Sequence, residues 1–258
     1  MSKIVSGAGR VKSLAKAASL LDCFGRDSRA MTLAELAEQA GLPKPTAHQH
    51  LVTLKELGFV EQDVKGDRYR LGIRLFQLGS LYLANLELGR EAQPVVDRLA
   101  RITGETVHLS IFDGLYAVMV DRRESDSGPY QMVMNIEGAP AYCTGVGKAM
   151  LAFQPDAAVE RVIAAGLVRF TERTITDAGE LRAELARVRQ RGFAIDDDEH
   201  QFGQRCVAAP IRNAAGQVFA AISVAAPAAR VPDSRIEVLG ELVVQSAETI
   251  ARRLGWHG

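Results

Sequence analysis

Residues 32–69, TLAELAEQAGLPKPTAHQHLVTLKELGFVEQDVKGDRY, constrain the fold of this chain more tightly than any other stretch. Leu33, Leu36, Ala37 and Ala40 recur at helical spacing, Thr32 is placed to cap the helix start, and Gly41 supplies a left-handed residue to end it. Leu42 fills the turn. Pro43 and Pro45 fall where a second helix begins, in a first turn whose amide hydrogens have no partner within the helix. Ala47, Leu51, Leu54 and Gly58 share one face of that helix, and Thr46, Gln49 and Thr53 share the other. Those three short polar side chains suit contact with base edges or phosphates in a major groove. Downstream, residues 59–61 and 68–71 alternate apolar and polar side chains around residues 63–67, with Gly66 for the turn, which predicts a charged hairpin. Two short helices around a glycine turn, followed by such a hairpin, imply a winged helix-turn-helix and therefore DNA. Lys44 and the wing residues Lys65, Arg68 and Arg70 are placed to meet phosphates.

Ahead of this motif, Val11, Leu14, Ala18, Leu21 and Phe24 predict an amphipathic helix that covers its core. Behind it, Leu71, Leu75, Leu78, Leu81, Tyr82 and Leu86 recur at helical spacing in a segment too apolar to lie alone in water. Two readings remain open: a linker helix that pairs with that of a second copy, or a helix packed on its own domain. A further helix over residues 90–102 closes at Gly104. From residue 105 the period becomes that of strands, in TVHLSIF, LYAVMVDR and QMVMN, separated by Asp-Gly or Gly-Pro. A glycine-bearing turn over residues 144–148 leads into residues 149–153, strands are expected at 207–211 and 218–224, and helices at 178–191 and 233–254. Antiparallel strands with flanking helices predict an α+β domain of the ligand-sensing kind rather than a doubly wound nucleotide fold. The expected limits are 10–71 for the reading head, 72–89 for the linker helix and 90–258 for the effector domain.

The formal charges cancel over the whole chain, yet residues 1–70 carry a net +3 and the remainder −3, so the basic excess sits with the expected reading head. Three widely spaced cysteines, Cys23, Cys143 and Cys206, suggest no disulfide framework and point to a reducing cytoplasm. No apolar run approaches a membrane span, and the first residues lack the apolar core of a signal peptide. Residues 1–10 and 124–128 are candidates for disorder.

With these elements in place, the chain resembles the IclR family of bacterial transcriptional regulators. LAELAEQAGLPKPTAHQHLVTLKELGFVE and YRLGIRLFQLG resemble the family's reading head and linker, and RGFAIDDDEHQFGQRCVAAPIRNAAGQVFAAISVAAP resembles its effector-domain signature. The resemblance spans roughly residues 10–255. It implies a winged helix-turn-helix, a GAF-like effector domain, homodimers or dimers of dimers, a pseudo-palindromic double-stranded DNA operator, and a small organic acid (oxo, hydroxy or sugar acid) as effector. Carried onto this sequence, the effector-binding positions are Gly145, Val146, Asp196, Cys206 and Ser223. The chain departs from the pattern at Ala225, where relatives often carry a second serine, and at Gln49, where many carry arginine. No cofactor is implied.

Cys143, His200 and Cys206 include metal-ligating and nucleophilic types, but the chain holds no CxxC, HExxH or GxSxG, so neither a metal nor a catalytic residue is expected. Gly145-Val146-Gly147-Lys148 is too short for a phosphate-binding loop, which leaves Lys148 to cap or pair locally. Trp256 reads as a packing anchor. The competing classes are an enzyme with an appended helix-turn-helix and a protein-interaction module that uses the winged fold.

Overall fold

A computed structural model describes residues 11–25, 28, 30–63, 66–85, 87–124 and 138–258. They fall into two compact units, Met1–Asn85 and Leu86–Gly258. The expected disorder at residues 1–10 and 125–128, the strand QMVMN and the wing residue Lys65 lie outside the described residues.

The first unit runs α1 (Lys12–Leu21), β1 (Met31–Thr32), α2 (Leu33–Gln39), α3 (Lys44–Glu56), β2 (Val60–Gln62), β3 (Arg68–Leu71) and α4 (Ile73–Asn85). Thr32 does cap α2, in a reciprocal pair: its hydroxyl accepts from the Glu35 amide at 3.3 Å while the Glu35 carboxylate accepts from the Thr32 amide at 2.7 Å. Gly41 turns the chain at φ 65°, and Pro43 and Pro45 open α3. Leu36 and Ala37 of α2 then meet Ala47, Leu51 and Leu54 of α3, closed over by Val60 and Tyr69 of the wing. The wing is antiparallel, with the order β1-β3-β2, and the short β1 adds an unforeseen third strand.

One expectation fails at α1. Leu21 and Phe24 do pack on the core, but Val11, Leu14 and Ala18 are exposed, and the closing face carries Ala17, Leu20 and Cys23 instead. The helix meets the core with its C-terminal half, so apolar residues of its first turn have nothing within this unit to cover them. On α4, Ile73, Phe76, Leu78 and Leu81 are likewise exposed, while Leu75 is half-buried.

The second unit opens with α5 (Glu87–Thr103), which Gly104 ends at φ 67°. Then come β4 (Thr106–Phe112), β5 (Tyr116–Arg123), β6 (Ala139–Pro140), α6 (Gly145–Leu151), α7 (Asp156–Ala165), α8 (Ala178–Arg191), β7 (Ala194–Asp197), β8 (Gln204–Arg212), β9 (Val218–Pro227) and α9 (Asp233–Arg253). One six-stranded sheet has the order β6-β5-β4-β9-β8-β7, with antiparallel pairing throughout. Strand alternation gives it two buried faces. Val107, Leu109, Val207, Ile222 and Val224 pack under α5 and α9, with Trp256 anchored at the edge of that layer. Ala194, Ala208 and Ala221 pack under α6 and α8. The fold is α+β, a winged helix-turn-helix followed by an antiparallel sheet with flanking helices. Among the described residues no helix is long and apolar enough to cross a membrane.

Three elements differ from expectation. The glycine turn is itself helical, since Thr144 caps α6 and Gly145 and Gly147 lie in its first turn. A Cβ on Gly147 would stand 2.4 Å from Ala141 Cα, so close packing on the preceding chain, rather than a bend, requires glycine there. α7 was not foreseen. Nor was β7, where Asp196 and Asp197 mask the strand because strands disfavour aspartate.

Candidate functional site

The reading head presents Gln49 and Thr53 exposed on α3, with Thr46 half-buried beside them and Lys44 exposed at the helix start. The Thr53 hydroxyl donates to the Gln49 carbonyl at 3.2 Å, which leaves its oxygen free to accept. On β3, Arg68 and Arg70 stand on the face opposite the buried Tyr69, as strand alternation requires. Both are engaged within the unit. Arg68 Nη1 donates to the Ala30 carbonyl at 2.9 Å, and Arg70 pairs with Glu61, its register partner on β2, at 2.9 Å. The second pair is exposed and worth at most about 1 kcal/mol, so a phosphate can compete for Arg70 at little cost.

In the second unit the face of the sheet under α6 is polar where it meets a cavity of about 100 Å³. Register sets two rows of side chains on that face. One row crosses Asp196, Cys206, Ala225 and Thr106, and the next crosses Ala208, Ser223 and His108. Gly145, Val146, Asp196, Cys206 and Ser223, the five positions expected to bind an effector, all line this one cavity. Ala225 is buried in its row but lies outside the cavity wall. Gly145 is needed at the approach of α6 to β8, because a Cβ there would lie 2.9 Å from Cys206 Sγ.

The charges beside the cavity are buried. Asp198 takes a left-handed φ of 61°, which folds the chain back so that the Glu199 and His200 amides donate to Asp196 Oδ1 at 2.8 and 3.4 Å. Thr171 and Thr174 hold that turn by donating to the Asp198 and Glu199 carbonyls. Lys148, fully buried on α6, forms an ion pair with Glu199. Burial pushes the Asp196 carboxyl up to about 7, with Lys148 pulling it down and Glu199 adding to the rise. Burial raises Glu199 as well, against the pull of Lys148. Together these groups hold one cation against two carboxylates in a low-dielectric site, which favours a proton on one of the acids.

The thiols are inert in this setting. Burial, then the Asp196 charge, pushes Cys206 up to about 12, although the Ser223 hydroxyl and the Val146 amide at its sulfur pull the other way. Burial also raises Cys143 far above its ordinary range. Neither supplies a thiolate near neutral pH. Among the described residues no group of three metal-ligating side chains comes together.

Residues 80–252 match the model of the bacterial transcriptional regulator IclR C-terminal domain, and residues 13–64 match that of the IclR helix-turn-helix domain. The chain belongs to the IclR family. Transcriptional repressor IclR of Escherichia coli K12 is 33% identical over 251 residues, which span 96% of this chain and 91% of that protein. An IclR transcriptional regulator from Silicibacter sp. TM1040 superposes with a TM-score of 0.86 at 29% identity, covering 95% of this chain and 97% of its own. An IclR homologue from Microbacterium hydrocarbonoxydans, solved in complex with 4-hydroxybenzoate, has a TM-score of 0.73 at 27% identity, covering 93% of this chain and 99% of its own. As a member of the IclR family the chain is a DNA-binding transcriptional regulator.

Several residues of the cavity escaped the sequence reading: His108, Ser110, Met119, Thr144 and Gln204. A signal for two of them was present. In TVHLSIF the apolar positions Val107, Leu109 and Ile111 alternate with Thr106, His108 and Ser110, and a second buried face occupied by polar side chains marks a lined cavity. The Lys148–Glu199 pair spans 51 residues of sequence and had no local signature.

Proposed function

We propose that this IclR-family regulator binds a pseudo-palindromic double-stranded DNA operator as a homodimer or dimer of dimers, and that a small organic acid in the sheet cavity adjusts its DNA affinity. The effector is an oxo, hydroxy or sugar acid held among Gly145, Val146, Asp196, Cys206 and Ser223. The convergence of these five positions on one cavity carries the reading, and the relative solved with 4-hydroxybenzoate supports it. With Asp196 raised to about 7, its protonated form is available near neutral pH to donate to such an anion instead of repelling it.

Thr46, Gln49 and Thr53 read bases, while Lys44, Arg68 and Arg70 take phosphates. The exposed apolar residues of α4, which a monomer leaves in water, support pairing between copies. The division at residues 10–71, 72–89 and 90–258 assigns reading, coupling and sensing to successive segments. Catalysis has no part in this scheme, and the protein works in the cytoplasm, where its DNA lies. Calorimetry with a panel of organic acids, paired with anisotropy of a labelled DNA fragment, tests the reading. At least one acid is expected to bind the protein and to change its affinity for DNA. Binding confined to neutral or cationic compounds refutes it.

A further inference from the structure

The effector residues carried over from the family include Ser223 but leave β4, the strand beside it in the cavity wall, without a role. On that wall His108 of β4 and Ser223 of β9 are direct register partners, and both side chains line the cavity. His108 is 8% exposed and Ser223 is fully buried. His108 Nε2 and Ser223 Oγ are buried; His108 Nε2 lacks a hydrogen-bond partner among the described residues, and the Ser223 hydroxyl meets the weakly polar Cys206 sulfur. An unsatisfied ring nitrogen and, on the neighbouring strand, a hydroxyl held only by a thiol destabilise the empty fold, and a ligand that satisfies both recovers that loss on binding.

We propose that His108 and Ser223 form a subsite that selects a hydroxyl group on the effector, so that the ligand is a hydroxy acid rather than a simple or oxo acid. The inference rests on the effector-binding reading above and narrows it. Burial, then the neighbouring Arg122 charge, pushes His108 down to about 3, so its ring is neutral. A neutral ring is not a counter-ion for a carboxylate. Its Nε2 either donates or accepts, according to tautomer, and the serine hydroxyl adjusts to match. A ligand hydroxyl both donates and accepts, so either tautomer satisfies it. An oxo group only accepts, and engages both partners in one tautomer alone. A bare hydrocarbon leaves the ring nitrogen orphaned. Ala117, Met119, Ala139 and Val146 line the cavity around the pair, which suits a compact carbon skeleton between hydroxyl and carboxylate.

The test is calorimetry of the full-length protein with matched acids: propanoate, lactate and pyruvate; butanoate and 3-hydroxybutanoate; benzoate and 4-hydroxybenzoate. The wild type is expected to bind the hydroxy member of at least one set about tenfold more tightly than its deoxy and oxo counterparts, the scale of one well-made hydrogen bond. His108→Phe should bring that ratio close to one, and Ser223→Ala should lower it while also weakening the deoxy acid. His108→Gln, which keeps a donor and an acceptor, should restore part of it, and it carries the test with Ser223→Ala if His108→Phe does not fold. Equal binding of hydroxy and deoxy acids by the wild type, or discrimination that survives both substitutions, overturns the inference and leaves the acid-binding reading intact. Binding of no acid in the panel removes that reading, and the inference with it.

Discussion

Replacing Asp196 with asparagine tests the electrostatics of the cavity without any ligand. The substitution keeps Oδ1 as an acceptor for the Glu199 and His200 amides and removes the titrating proton. In the fold Asp196 is pushed up to about 7, against 3.8 for the free group. A raised acid holds its proton more firmly in the folded state than in the unfolded state. Its contribution is therefore complete below the unfolded value and is lost as pH rises through the folded one. Between pH 5 and pH 8 the folded protein must give up that proton over about two pH units, at about 1.4 kcal/mol each, a loss of about 3 kcal/mol. The asparagine variant does not pay it. The single tryptophan, Trp256, packs half-buried against the core of the second unit and reports its unfolding by fluorescence. In urea melts at pH 5, 6, 7 and 8, the wild type should lose about 3 kcal/mol relative to Asp196→Asn, a midpoint difference on the order of 1 M. Glu199 is also raised, but it is present in both proteins, so the difference between the curves belongs mainly to Asp196. Parallel curves across this range would show that Asp196 is ionised at no cost and that the charge balance around Lys148 is not as described.

The reading head yields three further expectations. Gln49→Arg should move one operator position from an A·T to a G·C preference, because arginine matches the two acceptors of guanine and glutamine the acceptor and donor of adenine; selection from random DNA with both proteins checks it, and an unchanged base removes Gln49 from the reading set. Arg70→Ala should weaken specific and non-specific DNA alike and lower the salt dependence by about one unit of slope, measured by anisotropy at several salt concentrations; an unaltered slope takes Arg70 off the phosphates. Sedimentation of the wild type at micromolar concentration should show a dimer or larger species, and Phe76→Glu, at a site exposed in the single chain, should shift it toward monomer; a monomeric wild type refutes pairing through α4.

The reading head was legible because its signals are local. A cap at Thr32, glycine at Gly41 and the spacing of Ala47, Leu51 and Leu54 each act within a few residues, and each recurs in the structure. The strands under the cavity were legible for the same reason, through alternation in TVHLSIF and around Val218. What escaped depends on contacts remote in sequence. Lys148 finds Glu199 across the fold, His108 meets Ser223 only through strand register, and Gly147 is required by the approach of Ala141. The face of α1 was misread because both candidate faces are apolar and periodicity does not say which one the neighbouring helices cover.

Selection of binding sites from random double-stranded DNA, followed by measurement of affinity with and without a bound acid, tests the central claim most directly. An acid-controlled, operator-binding dimer should give enrichment of an inverted repeat, steep salt dependence, and a change in affinity of at least severalfold when an acid occupies the cavity. Recovery of no common sequence above non-specific binding, or an affinity indifferent to every acid that binds, would contradict it.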